Sequence, residues 1–227
     1  MLSAIAIVPA APVLVPELMG AATDETAALR DAALAAAGEL PERWVSLGTG
    51  RADAVFGPDQ SGTFAGYGVD VPVALGPVTA TPQELPLCVL IAAWLRGQVN
   101  PQATVDARVY ATTHTADAAV EHGRRLRAAI DATAERVGVL VVADGAHTLA
   151  PAAPGGYRPD SAAVQHALDR ALASGDSAAL TTLPDAIVGR VAHQVLAGLA
   201  GSAPRNAREL YRGAPYGVGY FVGVWAP

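Results

Sequence analysis

Apolar runs of strand length alternate along the chain with longer, alanine-rich stretches whose apolar residues recur at helical spacing. The apolar, β-branched runs predict strands at residues 4–8, 44–49, 107–113, 137–143 and 217–225. The longer stretches predict helices at residues 23–37, 83–97, 116–136, 160–173, 184–200 and 205–211. Thr115 and Asp160 stand directly before two of these helices and are predicted to cap them.

This alternation predicts an α/β layered fold with a mostly parallel central sheet flanked by helices. No linker or repeat divides the chain, so residues 1–227 are expected to form a single domain. Residues 50–82 are rich in glycine and proline and fit the alternation least well. Loops that follow parallel strands lie at the carboxyl edge of an open sheet, where ligands bind. A site at this edge is therefore expected, although such loops also occur in any α/β protein of this size.

Composition narrows the classes of function. Hydrophobic residues make up 52% of the chain and charged residues 16%, which excludes a disordered protein. The net charge of −6 provides no basic surface for nucleic acid. All 15 basic residues are arginines, so chemistry that needs a lysine is excluded. The lone cysteine, Cys88, excludes an internal disulfide and a CxxC motif, and its apolar neighbours predict an inert core thiol.

The apolar N-terminus does not predict a signal peptide. It lacks a positively charged start, and Pro9, Pro12 and Pro16 interrupt it. The apolar run "LCVLIAAWL" is too short to span a bilayer. We therefore expect a cytoplasmic protein with no membrane and no nucleic-acid partner, and homo-oligomerisation stays open.

Among the histidines, His147 is the best candidate for chemistry. It follows the most apolar predicted strand and lies three residues after Asp144. An imidazole oriented by a carboxylate exchanges protons near pH 7. Asp144 either orients His147 in this way or closes the end of the strand. By contrast, His122 and His166 are predicted to lie on solvated helix faces, and His193 to be a hydrogen-bonded core residue.

Several segments together resemble one known family. These are "VPAAPVLVPEL" near the start, "ADGAH", "APGGY" and "SGD" in the middle, and "APYGVGYFVG" at the end. They are similar to the class III extradiol ring-cleavage dioxygenase catalytic subunits, the LigB-like superfamily, and among these most to the Memo-type branch. The resemblance implies a LigB-like α/β fold for this chain.

The resemblance also implies an iron site that this sequence has largely lost. Family members hold Fe(II) with two histidines and one carboxylate. The first histidine position falls at Ala10, the second falls within residues 48–50, and the helix around "VAHQVLAG" offers no carboxylate. His147 corresponds to the acid/base that handles the catechol proton. No metal or cofactor is therefore expected, and five residues are expected to line the remaining pocket, namely Ala10, Pro12, Thr49, Tyr157 and Tyr216.

These residues are compatible with three interpretations of function. The favoured one is a non-catalytic member of the fold, which either keeps the pocket to bind a small aromatic or polar metabolite or a partner protein, or keeps only the scaffold. The alternative is an Fe(II)-dependent oxidoreductase of the extradiol type with His147 as acid/base and a rearranged set of ligands drawn from His114, His147 and His193. The third is metal-free acid–base chemistry by Asp144 and His147, with Thr148 and Ser161 as nearby hydroxyls.

Overall fold

The computed structural model describes residues 1–78, 80–201 and 204–227. The strands are β1 (Leu2–Val8), β2 (Arg43–Gly50), β3 (Ala54–Phe56), β4 (Ser61–Thr63), β5 (Pro72–Ala74), β6 (Thr104–Ala111), β7 (Val137–Val142), β8 (Asn206–Gly213) and β9 (Tyr220–Ala226). The helices are α1 (Pro16–Met19), α2 (Ala27–Ala37), α3 (Leu87–Val99), α4 (Ala116–Asp131), α5 (Ser161–Ser174), α6 (Ser177–Leu180) and α7 (Arg190–Ala200).

Four parallel strands form the centre of the molecule, in the order β6-β2-β7-β1. The strand β7, "VGVLVV", is buried along its whole length, as expected for a parallel strand with helices on both faces. Val139 of β7 is in register with Val45 of β2, and Val141 with Ile7 of β1. Because the four strands run in one direction, the loops that follow them meet at one edge of the sheet.

Antiparallel strands flank this parallel centre. The strand β9 pairs with β1, β8 pairs with β9, and β3 pairs with β6 at the opposite side, all antiparallel. The described residues thus form a seven-stranded sheet in the order β3-β6-β2-β7-β1-β9-β8, with β4 and β5 as a separate pair. The predicted α/β class with a helix-flanked central sheet is confirmed, and its parallel part is confined to the four central strands.

Helices cover both faces of the sheet. Residues of α2 and α3 pack on one face around Trp44, while α4, α5 and α7 pack on the other around Trp225. The helices α4 and α7 meet backbone to backbone, because a Cβ atom on Gly198 would lie 1.9 Å from the Val120 carbonyl oxygen. This close approach fixes α7, which carries His193, against α4, which carries His122.

The prediction of a helix over residues 205–211 is wrong, because this segment belongs to β8. Its alanine, arginine, glutamate and leucine favour a helix, but pairing with β9 overrides that preference. Arg208 and Glu209 lie on this edge strand, and charged residues there oppose pairing with another chain. The irregular stretch 50–82 contains β3, β4 and β5, which are too short to show a periodic pattern.

Several predicted boundaries shift. The helix predicted to end at 136 ends at Asp131, the one predicted to begin at 184 begins at Arg190, and the last strand begins at Tyr220 rather than 217. Thr115 caps α4 as predicted, since its hydroxyl accepts the N–H three residues on at 3.3 Å. Asp160 occupies the N-cap of α5, but its side chain makes no capping hydrogen bond.

No helix in the described part of the chain has both the length and the hydropathy that crossing a bilayer requires.

Candidate functional site

The loops after β1, β7 and β2 lie side by side at the carboxyl edge, because these strands are adjacent and parallel. The loop after β1 carries Ala10 and the loop after β7 carries the Asp144–His147 segment, while residues 48–50 form the last positions of β2 itself. Strand order therefore brings together the segments in which the sequence predicted a site. We refer to Ala10, Asp144, His147 and His193 as the carboxyl-edge cluster.

The side chain of Asp144 joins two of these loops. The Ala10 backbone N–H donates a hydrogen bond to its Oδ1 at 2.8 Å. Asp144 retains some solvent exposure, but protein surrounds most of its carboxyl group. This burial raises the pKa of the carboxyl group to about 7, while the hydrogen bond from Ala10 acts in the opposite direction and lowers it. Asp144 thus holds the β1 loop against the β7 loop, and its carboxyl group is mostly protonated only below about pH 7.

His147 lies on the same loop but does not pair with Asp144. Its ring is half-buried, and its Nδ1 atom is buried without a hydrogen-bond partner among the described residues. Its Nε2 atom packs against Gly155, where an added Cβ would lie 2.5 Å away. Of the two roles considered for Asp144, the structure supports closing the strand end and shows no hydrogen bond that would orient His147.

His193 approaches the cluster from α7. It is 1% exposed, and neither of its ring nitrogens has a hydrogen-bond partner in the described ranges. Burial lowers the pKa of its imidazole to about 4; the nearby Asp144 backbone opposes this shift without reaching hydrogen-bond geometry. His193 is therefore a neutral core residue as predicted, but it lacks the predicted hydrogen bond.

The positions at which the family resemblance places two iron ligands do not fit Fe(II). Ala10 contributes a methyl group and uses its amide to bind Asp144. At Gly48 an added Cβ would lie 2.4 Å from the Cys88 Cβ, and at Gly50 it would lie 2.6 Å from Val109. Since Cys88 and Val109 fill the space that these side chains would enter, the end of β2 has no room for a histidine at Gly48 or Gly50 without movement of its neighbours.

The hydroxyls near His147 are already satisfied. The Oγ1 atom of Thr148 and the Oγ atom of Ser161 lie 2.6 Å apart in a mutual hydrogen bond, and both side chains are buried. This pair ties the β7 loop to the start of α5. Neither hydroxyl contacts His147, so the arrangement offers no nucleophile activated by that imidazole.

The other residues predicted to line the pocket are spread over the edge. Pro12 begins a short 3₁₀ turn after β1. Thr49 lines an open cleft of about 560 Å³, whose described lining does not include Asp144 or His147. Tyr157 is exposed. Tyr216 is also exposed, has a φ of +58°, and donates its hydroxyl hydrogen bond to Glu25 at 2.6 Å.

A second group of polar residues lies at the ends of β2 and β6, where the sequence indicated only His114. The Nε2 atom of His114 lies 2.7 Å from Oδ1 of Asp53, and the His122 ring centroid lies 4.8 Å from that of His114. His114 therefore groups with Asp53 and His122, not with His147 and His193. Sequence reasoning missed Asp53 and treated His122 as solvated. The sequence contained only part of the information needed to find this group, namely that Asp53 and His114 each closely follow a predicted strand.

Comparisons with known proteins bear on the fold alone. No protein-family model matches the chain, and no curated protein does either. Among solved structures, the chain is similar to the uncharacterized protein JW3007 from Escherichia coli K12, with a TM-score of 0.61 and 14% sequence identity. The match covers 99% of this chain and 100% of that protein. The chain therefore shares its overall fold with that protein along its full length.

Proposed function

We propose that the protein is a diverged LigB-like member of the extradiol-dioxygenase fold that binds a small aromatic or polar metabolite at the carboxyl-edge cluster without oxidising it. The observation that carries this proposal is the hydrogen bond from the Ala10 amide to Asp144. It gives the loop that would carry the first iron ligand a different task, which is to hold the Asp144 carboxyl group, on the same loop as His147, in place.

Lack of ligands argues against ring cleavage at this cluster. Extradiol chemistry requires a divalent iron with open positions for both catechol oxygens and dioxygen. Ala10 has no donor side chain, and Cys88 fills the space above Gly48. Removing one ligand weakens metal binding, and removing two of three leaves no basis for a stable site.

The polar groups that remain favour binding of a hydroxyl-bearing molecule. The Nδ1 atom of His147 is buried without a partner in the described chain, and a buried polar atom gains free energy when a ligand supplies the missing hydrogen bond. The protonated carboxyl of Asp144 can both donate and accept. A phenol or catechol hydroxyl, which both donates and accepts, matches these two groups.

Ligand-observed NMR with catechol and phenol, under anaerobic conditions without added metal, tests this proposal. We expect saturation transfer to the ring protons with the wild-type protein and a loss of about tenfold or more in affinity for His147→Ala. His166→Ala is the matched control, because His166 is exposed on α5. Its affinity should equal that of the wild type.

His147→Ala should also fold normally, with a loss of less than about 1 kcal/mol in unfolding free energy, since the described structure shows no hydrogen bond to this half-buried ring. Absence of binding to the wild-type protein, or equal binding to His147→Ala, would refute the proposal. A large loss of stability in His147→Ala would assign the histidine a structural role instead.

A further inference from the structure

The group Asp53, His114 and His122 has the composition and spacing of a metal site. One ligand atom from each residue lies within 4.8 Å of the other two. Two imidazoles and one carboxylate form the ligand set that holds divalent transition metals with open coordination positions. The group lies at the ends of β2 and β6 and on α4, away from Ala10 and its loop, so a metal site here is independent of the proposed function.

Asp53 is anchored for this role. Its Oδ1 atom accepts a hydrogen bond from the Ala111 backbone N–H at 2.7 Å, which fixes the carboxylate at the end of β6. The Oδ2 atom lies 3.0 Å from the His114 Nε2 and has no backbone partner in the described chain. Both carboxylate oxygens therefore face the His114 imidazole, while the backbone hydrogen bond to Oδ1 fixes the orientation of the carboxylate, as outer partners of metal ligands do.

The two histidines are also held in place. Arg190 donates to the carbonyl oxygens of Thr112 and His114 at 3.5 and 3.4 Å, which secures the turn after β6. The His122 ring packs against the buried Tyr110, with 5.2 Å between ring centroids. The charge of Arg190 is balanced by Asp185, 3.1 Å away.

We infer that Asp53, His114 and His122 bind one divalent transition-metal ion of the Zn(II) class, with the remaining coordination positions open to solvent. Two imidazole nitrogens disfavour Mg²⁺ and Ca²⁺, which prefer oxygen ligands. Metal–ligand bonds of about 2.0–2.2 Å place ligand atoms roughly 3.3–3.5 Å apart around a tetrahedral ion. To admit the ion, His114 Nε2 and Asp53 Oδ1, now 2.7 Å apart, would separate by several tenths of an ångström, and any of the three ligand atoms that lie as far as 4.8 Å apart would move closer together.

Zn(II) titration of the tag-free, EDTA-stripped full chain by calorimetry tests the inference, with Co(II) absorption as a second readout of coordination. We expect one equivalent of Zn(II) and a tetrahedral Co(II) spectrum. The test variants preserve packing: Asp53→Asn keeps an oxygen for the Ala111 amide, and His122→Phe keeps the ring on Tyr110. Each should weaken Zn(II) binding by more than ~100-fold, because removing a direct ligand exceeds the 10–100-fold loss typical of its outer partners.

The control variants are His166→Ala, on the exposed face of α5, and His147→Ala, in the carboxyl-edge cluster; both should bind like the wild type. Thermal melts followed by circular dichroism in EDTA establish whether each variant is folded. If His122→Phe is unfolded, the Zn(II) affinity of Asp53→Asn alone tests the inference. A wild-type chain that takes up neither Zn(II) nor Co(II) in stoichiometric amount overturns the inference. So does stoichiometric binding that survives in Asp53→Asn or that disappears in His147→Ala.

Discussion

At the scale of single residues, Asp144 and His193 have opposite responses to burial. Burial raises the pKa of Asp144 from 3.8 to about 7 and lowers that of His193 from 6.5 to about 4. Between about pH 4 and 6.5, both side chains are neutral in the folded protein and both are charged in the unfolded chain. The Asp144–His193 pair therefore binds one titratable proton in the folded state and one in the unfolded state. Folding moves the proton from the histidine to the aspartic acid, and the pair makes stability nearly independent of pH in this range.

Removing either partner should expose the pH dependence of the other. In Asp144→Asn only His193 remains, and its contribution to stability is present above pH 6.5 and lost as the pH falls toward 4. Relative to the wild type, the unfolding free energy of this variant should fall by about 2–3 kcal/mol between pH 7 and pH 4. In His193→Gln only Asp144 remains, so stability should fall as the pH rises from about 4 to about 7.

Urea denaturation of the three proteins at several pH values measures these slopes. The wild type provides the reference because every other titrating group is common to all three. Profiles that run parallel for the wild type and both variants would show that the pKa values of Asp144 and His193 are not shifted in opposite directions.

At the scale of elements, the contact between β2 and α3 determines what the edge of the sheet can hold. Cys88 lies in the first turn of α3 and is buried, and burial raises the pKa of its thiol to about 12, so it is an inert core thiol as the sequence predicted. Its side chain occupies the space next to Gly48. The sequence contains both residues, but the strand–helix contact that joins them becomes visible only in three dimensions.

Gly48→Ala should therefore destabilise the protein, because the new methyl group would lie 2.4 Å from the Cys88 Cβ and α3 would have to move. Overpacking of this kind costs about 1–3 kcal/mol of unfolding free energy. Gly97→Ala on α3 is the control. The space around Gly97 is open, and alanine should stabilise this helix by roughly 0.5–1 kcal/mol. Equal stabilities of Gly48→Ala and the wild type in urea denaturation would show that the end of β2 can accept a larger side chain.

At the scale of the whole molecule, periodicity predicted the α/β class and the central strands, because buried parallel strands have a strong apolar signal. It could not predict β8, whose helix-favouring residues are held extended by β9. It also could not predict which strand ends meet. Asp53 and His114 come together because Asp53 directly precedes β3, which pairs with β6, and His114 follows β6; strand order is not encoded in local pattern. The same limit applies to Ala10 and Asp144, which depend on β1 lying next to β7.

Oxygen uptake by the Fe(II)-loaded protein with catechol as substrate tests the central claim most directly. We predict no catechol-dependent oxygen consumption beyond that of His147→Ala under the same loading, because Ala10 and residues 48–50 offer no histidine for the iron. Among the described residues, Asp144, His147 and His193 also do not bring three ligand atoms within 4.8 Å of one another. Catechol-dependent uptake by the wild-type protein that is abolished in His147→Ala would contradict this claim, and would show that this edge of the sheet still carries out ring-cleavage chemistry.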